Sequence, residues 1–444
     1  MATVAFLGVG MLGAGMARAA LGRGDRVAVY NRTRAKAEAL AGAGARVCDT
    51  AAEAARGAER IHVVLSDDAA VDATLDAARE GLAPGALVVD HTTTSPEGTA
   101  RRVHRLARQK IDYLHAPVFM SPAMAEEGKG IMLASGPRWV YDRVAPELGK
   151  MAGELVYLGE RPDLAAGYKL FGNAMLFAVV AGLADVFTMA HAMGVEPDAA
   201  RSLFSKFQPA RSIELRGAKM AHGDFSPSFE VSMAHKDARL MAALAERAGG
   251  GLQVLPAVEA ALAALAGAGH GGADFGALAK ATVDRARRPE RDPIDQLVRS
   301  HRRLEETIGD LAAAAARGPG ALAPALAEAA EFFDKNGRRH EEDEEESLFP
   351  RLGERERELV RELATEHSAH ERLTKRVVEL AERAGREGDA AVLAETRDVC
   401  RDLQHVYHAH IALEEGLLFP AARLSIGPDA LAEMGREMQA RRGR

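Results

Sequence analysis

Hydrophobic positions change their period twice along this chain, and the changes divide it. Up to about residue 160, short apolar and β-branched runs (Val4–Leu7, Arg26–Tyr30, Ile61–Leu65, Ala86–Val89, Ile111–Leu114 and Ile131–Ala134) alternate with Ala-rich stretches of helical spacing. That alternation predicts βαβ units wound around a parallel sheet. From Leu164 the strand signals stop and helical periodicity takes over, opening with a long apolar stretch through Met193 that suits an inter-domain helix. Arg287–Pro293 then sets two prolines among five charges, too polar and too broken to continue a helix. The pattern predicts a multidomain α/β plus all-α chain: a doubly wound domain over 1–163, an all-helical domain over 164–287, a linker over 288–293 and a helical region over 294–444.

The last region repeats itself. Leu297-x3-His301 recurs as Leu363-x3-His367, and His340-x3-Glu344-Glu345-x2-Leu348-Phe349-Pro350 recurs position for position as His410-x3-Glu414-Glu415-x2-Leu418-Phe419-Pro420. Two copies of a helix pair predict an up-down-up-down four-helix bundle, with Pro350 and Pro420 closing the second helix of each pair. Positions i and i+4 share a helix face about 6 Å apart along the axis, so His340 with Glu344, and His410 with Glu414, aim inward together. His301 and His367 add one imidazole from each remaining helix. If both carboxylates bridge two metals, each metal receives two nitrogens and two oxygens and keeps open positions, a set that suits a pair of irons, while manganese satisfies the same ligands. His405 and His408 fit the His410 face poorly and are expected at the surface.

Composition narrows the partners. The chain has 444 residues, 47% of them hydrophobic, and a formal charge of -7, which argues against a general grip on nucleic acid. The apolar run Ala174–Ala184 meets Asp185 before a membrane-spanning length is reached, so a buried helix and no membrane are expected. Only Cys48 and Cys400 occur, which fits a reducing, cytoplasmic setting. Small molecules remain as the expected partners.

Gly8-Val9-Gly10-Met11-Leu12-Gly13 follows the first strand signal and opens a helix, the context that makes a dinucleotide fingerprint of it. The second strand ends Tyr30-Asn31-Arg32-Thr33, without the carboxylate that takes the ribose 2′-hydroxyl of NAD. Asn31 does not repel a 2′-phosphate and Arg32 can pair with one, so NADP(H) is the expected cofactor.

Residues 1–287 resemble the β-hydroxyacid dehydrogenases, which include 3-hydroxyisobutyrate dehydrogenases and glyoxylate or succinic semialdehyde reductases. The resemblance is carried by the glycine loop with Asn31-Arg32-Thr33, by Asp90-His91-Thr92-Thr93-Thr94-Ser95-Pro96, His115-Ala116-Pro117-Val118, Gly167-Tyr168-Lys169-Leu170-x2-Asn173 and Phe229-x6-Lys236-Asp237. It implies a Rossmann-type first domain, Lys169 as catalytic acid/base, Asn173 orienting it or the substrate, Thr93 near the nicotinamide, Lys236 at the closed cofactor site, and a homo-oligomer through the helical domain. Protonating the alkoxide left by hydride transfer is chemistry that a lysine with a lowered pKa can do at neutral pH. One departure concerns the loop that holds the substrate carboxylate in that family: here it reads Phe119-Met120-Ser121-Pro122. Either Ser121 takes over the carboxylate, or the pocket accepts a bulkier, less polar carbonyl compound.

Residues 294–425 resemble hemerythrin-like HHE cation-binding domains, through His301, His340-x3-Glu344, His367, His410-x3-Glu414 and both Leu-Phe-Pro endings. The oxygen carriers of that family have a fifth His four residues after the third-helix His; position 371 is Glu371, and His370 sits one residue earlier. The resemblance therefore implies a symmetric four-His, two-Glu di-iron site that meets O2, peroxide or NO. Two functions are compatible with the whole: an NADP-dependent reductase of a small aldehyde, keto acid or hydroxy acid carrying this centre, or a metal-binding sensor whose dehydrogenase module binds NADP(H) with little turnover.

Overall fold

The structure, a computed structural model, describes residues 2–247, 249–286, 292–387 and 390–443. The expected linker falls mostly on 287–291, outside the described residues. The chain divides into two compact units, Met1–Leu170 with Arg291–Arg444, and Phe171–Glu290.

In the first unit a six-stranded parallel sheet has the order β3-β2-β1-β4-β5-β6, where β1 is Thr3–Leu7, β2 Arg26–Tyr30, β3 Arg46–Val47, β4 Arg60–Val63, β5 Leu87–Asp90 and β6 Asp112–His115. The order reverses between β1 and β4, which leaves a crevice at the carboxyl ends of these strands. Ile131–Ala134 is a strand as expected but leaves this sheet. As β8 it pairs antiparallel with β7 (Val118–Phe119) and parallel with β9 (Glu154–Tyr157). The strands β3, β7 and β9 are too short or too polar at one end to announce themselves in the sequence. Helix α1 (Met11–Gly22) follows the glycine loop, and α2 (Pro96–Ala107) follows β5, capped by Ser95, whose hydroxyl accepts from the Gly98 amide at 3.0 Å.

The 29-residue helix α3 (Leu164–Ala192) begins in the first unit and continues into the second. It is long and apolar enough to cross a membrane. The expected buried helix is corrected here: Phe171, Phe177, Val179 and Val180 are all more than half exposed in the single chain. Asp185 is buried, and its carboxylate accepts from the amides of Gln253, Val254 and Leu255. The described residues of the second unit form helices joined by turns, with a small core of Val231, Ala234, Ala238, Leu262 and Ala277.

The C-terminal bundle comprises α4 (Pro293–Arg317), α5 (Pro319–Phe332) running on into α6 (Arg338–Asp343), α7 (Arg357–Glu387) and α8 (Ala390–Leu413). A fifth helix, α9 (Pro428–Ala440), covers one end through Leu431, Met434 and Met438. Both repeats contain a π-helical turn at the same place, Glu344–Leu348 and Glu414–Leu418. The Pro420 expectation is corrected: helix resumes over Phe419–Ser425, with Pro420 in its first turn, where a proline lacks no needed donor.

The bundle is packed on the nucleotide-binding sheet and not merely tethered to it. Ala412 belongs to the apolar cluster of Val103, Leu106 and Ile111. A Cβ at Gly416 would stand 2.6 Å from the Ala100 Cβ, so glycine there permits close approach to α2. His405 Nε2 lies 3.0 Å from Asp112 Oδ1. His405 and His408, expected at the surface, are therefore buried, because the surface they would face is covered by the first domain.

Candidate metal centre and nucleotide site

The nucleotide end is built from backbone. Gly8 has φ +98, and a Cβ there would collide with the Val64 carbonyl, while one at Gly13 would collide with the Gly8 carbonyl. Gly10 has nothing within 4 Å of where its Cβ would be, leaving open space at the first amides of α1 for an anion. Met11 is exposed and Leu12 half-buried beside it. Asn31 serves the loop itself: its Oδ1 accepts from the Val9 amide (3.1 Å) and its Nδ2 donates to the Thr33 carbonyl (2.9 Å). Arg32 and Thr33 are exposed beyond it, and Arg34 is taken up by Glu38 and Asp49.

At the end of β5, Thr92 and Thr94 are buried and bonded. Thr92 Oγ1 accepts from the Leu65 amide, and Thr94 Oγ1 meets Thr99 Oγ1 and His115 Nε2. Thr93 between them is exposed. Lys169 is half-buried, with Nζ 3.9 Å from the centre of the Phe119 ring, and burial lowers its pKa below the ordinary lysine value. Met120 is half-buried next to Phe119, and the Ser121 hydroxyl accepts from the Met124 amide as the cap of a short helix. Asn173, one helical turn after Lys169 on α3, falls past the boundary between the units, as does Lys236, which pairs with Asp237 at 2.9 Å.

The metal residues converge more completely. His301, His340, Glu344 and Glu414 present ligand atoms that all lie within 4.8 Å of one another, and His367, His370 and His410 form a second such group. The two carboxylates span both. Glu344 Oε1 is 3.0 Å from His340 Nε2 while its Oε2 is 3.5 Å from His367 Nε2; Glu414 Oε2 is 3.0 Å from His301 Nε2 while its Oε1 is 3.5 Å from His410 Nε2. These are approaches without hydrogen-bond geometry: both oxygens of each Glu, and Nε2 of His301 and His367, are buried without a partner.

His370 corrects the symmetric four-His expectation. It is 1% exposed, and neither ring nitrogen has a hydrogen-bond partner among the described residues. Positions i+3 and i+4 lie on the same helix face, so an imidazole at 370 reaches the place expected of one at 371. The second group accordingly holds three imidazoles.

Outside the ligands stands a ring of carboxylates. His301 Nδ1 meets Glu415 Oε1 at 2.8 Å, His367 Nδ1 meets Glu345 Oε1 at 2.7 Å, and His410 Nδ1 meets Glu366 Oε2 at 3.1 Å. Each fixes the imidazole so that Nε2 turns inward. The second Glu of each repeat thus serves the other repeat's first-helix His. The π turn beginning at each ligand Glu lets consecutive residues work on two sides of the helix.

Burial opposes charge on all these groups, and they settle unevenly. His301, helped by Glu414 and Glu415, and His410, helped by Glu414 and Glu366, are both lifted to about 10. Burial and the facing Glu414 push Glu344 well above the usual carboxylate range, while burial and neighbouring imidazoles push His340 and His370 well down. A cation suits a site where carboxylates repel and lone pairs point at one another. Mixed nitrogen and oxygen donors without sulfur fit iron or manganese.

Three known protein families match parts of the chain. Residues 3–159 match the NAD binding domain of 6-phosphogluconate dehydrogenase, 165–282 the NAD-binding domain of NADP-dependent 3-hydroxyisobutyrate dehydrogenase, and 292–422 the hemerythrin HHE cation binding domain. The chain is a dehydrogenase-type oxidoreductase carrying a hemerythrin HHE domain. It is 28% identical over 281 residues to an uncharacterized oxidoreductase of Bacillus subtilis (62% of this chain, 98% of that protein). It is 29% identical over 248 residues to glyoxylate/succinic semialdehyde reductase 2 of Arabidopsis thaliana (55% of this chain, 69% of that protein). Among solved structures, the imine reductase from Myxococcus stipitatus in complex with NADP+ shares the fold, with a TM-score of 0.59 and 22% identity over 63% of this chain and 99% of that one. The oxidoreductase part thus has relatives of nearly its own length, and the HHE domain lies beyond them.

Proposed function

We propose that this oxidoreductase reduces a small aldehyde or keto acid with NADPH, or oxidises the corresponding hydroxy acid, while its HHE domain holds two irons that meet O2, peroxide or NO. The half-buried amine of Lys169, in the same compact unit as the glycine loop, carries the reductase reading. Bound NADPH supplies a hydride to the carbonyl carbon. Lys169 keeps a proton on Nζ, positioned over an aromatic face and matched by its lowered pKa to proton donation toward the substrate oxygen. Asn173, one turn on, orients Lys169 or the substrate; Thr93 faces the nicotinamide, and Arg32 takes the 2′-phosphate. Because Ser121 already caps a helix and Pro122 has no amide hydrogen, Phe119 and Met120 favour a carbonyl compound with an apolar substituent.

In the bundle, His301 and His340 would hold one iron and His367, His370 and His410 the other, with Glu344 and Glu414 shared. Iron supplies the affinity for O2, peroxide or NO. Conserving the buried free thiols of Cys48 and Cys400 suits action in a reducing cytoplasm. The apolar exposed face of α3 suits a second copy of this chain, so a homo-oligomer is expected by light scattering.

A second reading rests on Phe119 lying against the Lys169 ammonium: the dehydrogenase module reads NADP(H) for a metal sensor and turns over little. Anaerobic NADPH oxidation against succinic semialdehyde, glyoxylate and short apolar aldehydes separates the two, with iron and NADPH binding measured on the same protein. NADPH binding without oxidation by any of these favours the sensor; oxidation that depends on Lys169 favours the reductase.

A further inference from the structure

The carboxylates behind the metal-facing imidazoles keep different company. Glu345, behind His367, is half-exposed, and its partner His367 belongs to the bundle itself. Glu366, behind His410, is half-buried between domains: its Oε2 takes His410 Nδ1, and its Oε1 takes His104 Nε2 at 2.7 Å from α2 of the nucleotide-binding domain. Arg108, just beyond α2, stands 3.6 Å from the same Oε1. Glu415, behind His301, also binds Arg302, and that guanidinium reaches Glu160 beyond β9 at 3.3 Å.

Helix α2 faces two ways. On the side opposite His104, the fully buried Arg102 pairs with Asp68 and Asp72 and stands 3.8 Å from Asp90. Asp90 Oδ1 in turn accepts from the Thr92 amide at 2.9 Å. The turn bearing Thr93 lies between Asp90 and the Ser95 cap of α2, so whatever fixes α2 also fixes that turn.

We propose that Glu366 is a positioning residue shared by the two domains, through which occupation of the metal centre orders α2 and the Thr92–Ser95 turn. The inference rests on the reading of the bundle as a metal site. His410 offers its Nε2 lone pair inward because Nδ1–H is spent on Glu366. A cation on Nε2 makes that N–H a stronger donor and pins the carboxylate, whose second oxygen is the acceptor for His104. Hydrogen bonds sharing one carboxylate reinforce each other, and linkage makes the effect reciprocal: docked α2 tightens metal binding by the factor with which metal tightens docking.

Hydrogen exchange on the full-length chain, with and without saturating ferrous iron under argon, tests this. In the unmodified protein iron slows exchange of the 96–107 amides about fivefold or more, within the ordinary range of coupling between sites. His104→Ala still binds iron at saturation, with affinity lowered by the same factor, and loses the slowing. His104→Gln, which keeps an N–H donor, restores part of it. Lys110→Ala, which removes an interface ion pair with Asp402 that touches no metal residue, keeps it, and so separates the Glu366 link from general loosening. Iron binding without slowing in the unmodified protein, or equal slowing in His104→Ala, overturns the proposal. Absence of iron binding in the unmodified protein overturns the metal reading beneath it.

Discussion

Two clusters of buried polar side chains lie in one compact unit and could hardly differ more in how they are completed. Under the carboxyl ends of β4, β5 and β6, His62 Nδ1 meets His91 Nε2 at 3.0 Å, His91 Nδ1 meets the Ala116 carbonyl at 2.7 Å, and Asp90 accepts from Tyr113 Oη at 2.8 Å. Arg102 supplies the charge opposite its aspartates. In the bundle, His301, His340, Glu344, His367, His370 and Glu414 are as deeply buried, and each carries at least one atom with no hydrogen-bond partner. Burying polar groups unpaired is costly. The first cluster recovers most of that cost inside the protein, leaving Arg102 Nη1 and His115 Nδ1 without a hydrogen-bond partner among the described residues, and is structural; the second leaves both oxygens of Glu344 and of Glu414 unpartnered among the imidazoles and needs a ligand to recover the cost. Depth of burial does not tell a structural network from a binding site. Completion does.

The contrast can be broken at either end. If the sheet network is structural, Asp90→Ala leaves the buried Tyr113 hydroxyl and the Thr92 amide without their acceptor and costs about 1–3 kcal/mol of folding stability for each; chemical denaturation of the metal-free protein measures it, and a total loss under about 1 kcal/mol would dissolve the distinction. Lys169 is half-buried, with its Nζ over the Phe119 ring. Lys169→Ala should lower kcat for carbonyl reduction about 10²–10⁴-fold with NADPH affinity kept. Because burial places its pKa below the ordinary lysine value, reduction in the unmodified enzyme should fall, and oxidation rise, at a lower pH than an exposed lysine would give; steady-state profiles in both directions check the sign.

In the metal cluster, Glu344→Gln should raise the stability of metal-free protein by about 1–3 kcal/mol, since it removes an unpaired buried carboxylate, while abolishing metal retention. The sign has a pH signature. Glu344 keeps its proton in the folded chain well above the ordinary 4.5, so the unmodified protein loses stability relative to the variant as pH rises above 4.5 and the unfolded carboxyl ionises. A gap that stays flat with pH would mean Glu344 is already satisfied. The smallest effect is at the surface: Arg32→Asp should weaken NADPH binding about tenfold and NADH binding less, near 1.4 kcal/mol, read by nucleotide fluorescence titration.

Much of this was legible along the chain. Alternating strand and helix signals placed five of the six main-sheet strands, because each is a short apolar run with both faces covered. The duplicated His-x3-Glu placed four metal-site residues in two pairs, because an i,i+4 pair must share a helix face whatever its surroundings, and the duplicated Leu-x3-His added His301 and His367. The glycine loop was equally plain, since the collision at Gly13 is with the loop's own Gly8 carbonyl.

What the sequence could not show required a second element. His370 and Glu371 share a helix face, and only packing against His367, His410 and the Tyr407 ring (4.3 Å from His370) selects the histidine. Glu366 is one of many acids on a polar helix face until His410 and His104 close on it. His405 and His408 are surface residues of a bundle by itself and core residues of a bundle docked on α2. Periodicity is a property of one helix, and it determined the elements, the inward faces and the donor types. Which donors complete one another, and which domain a helix leans on, depend on distances between residues far apart in the chain, and those the tertiary structure decided.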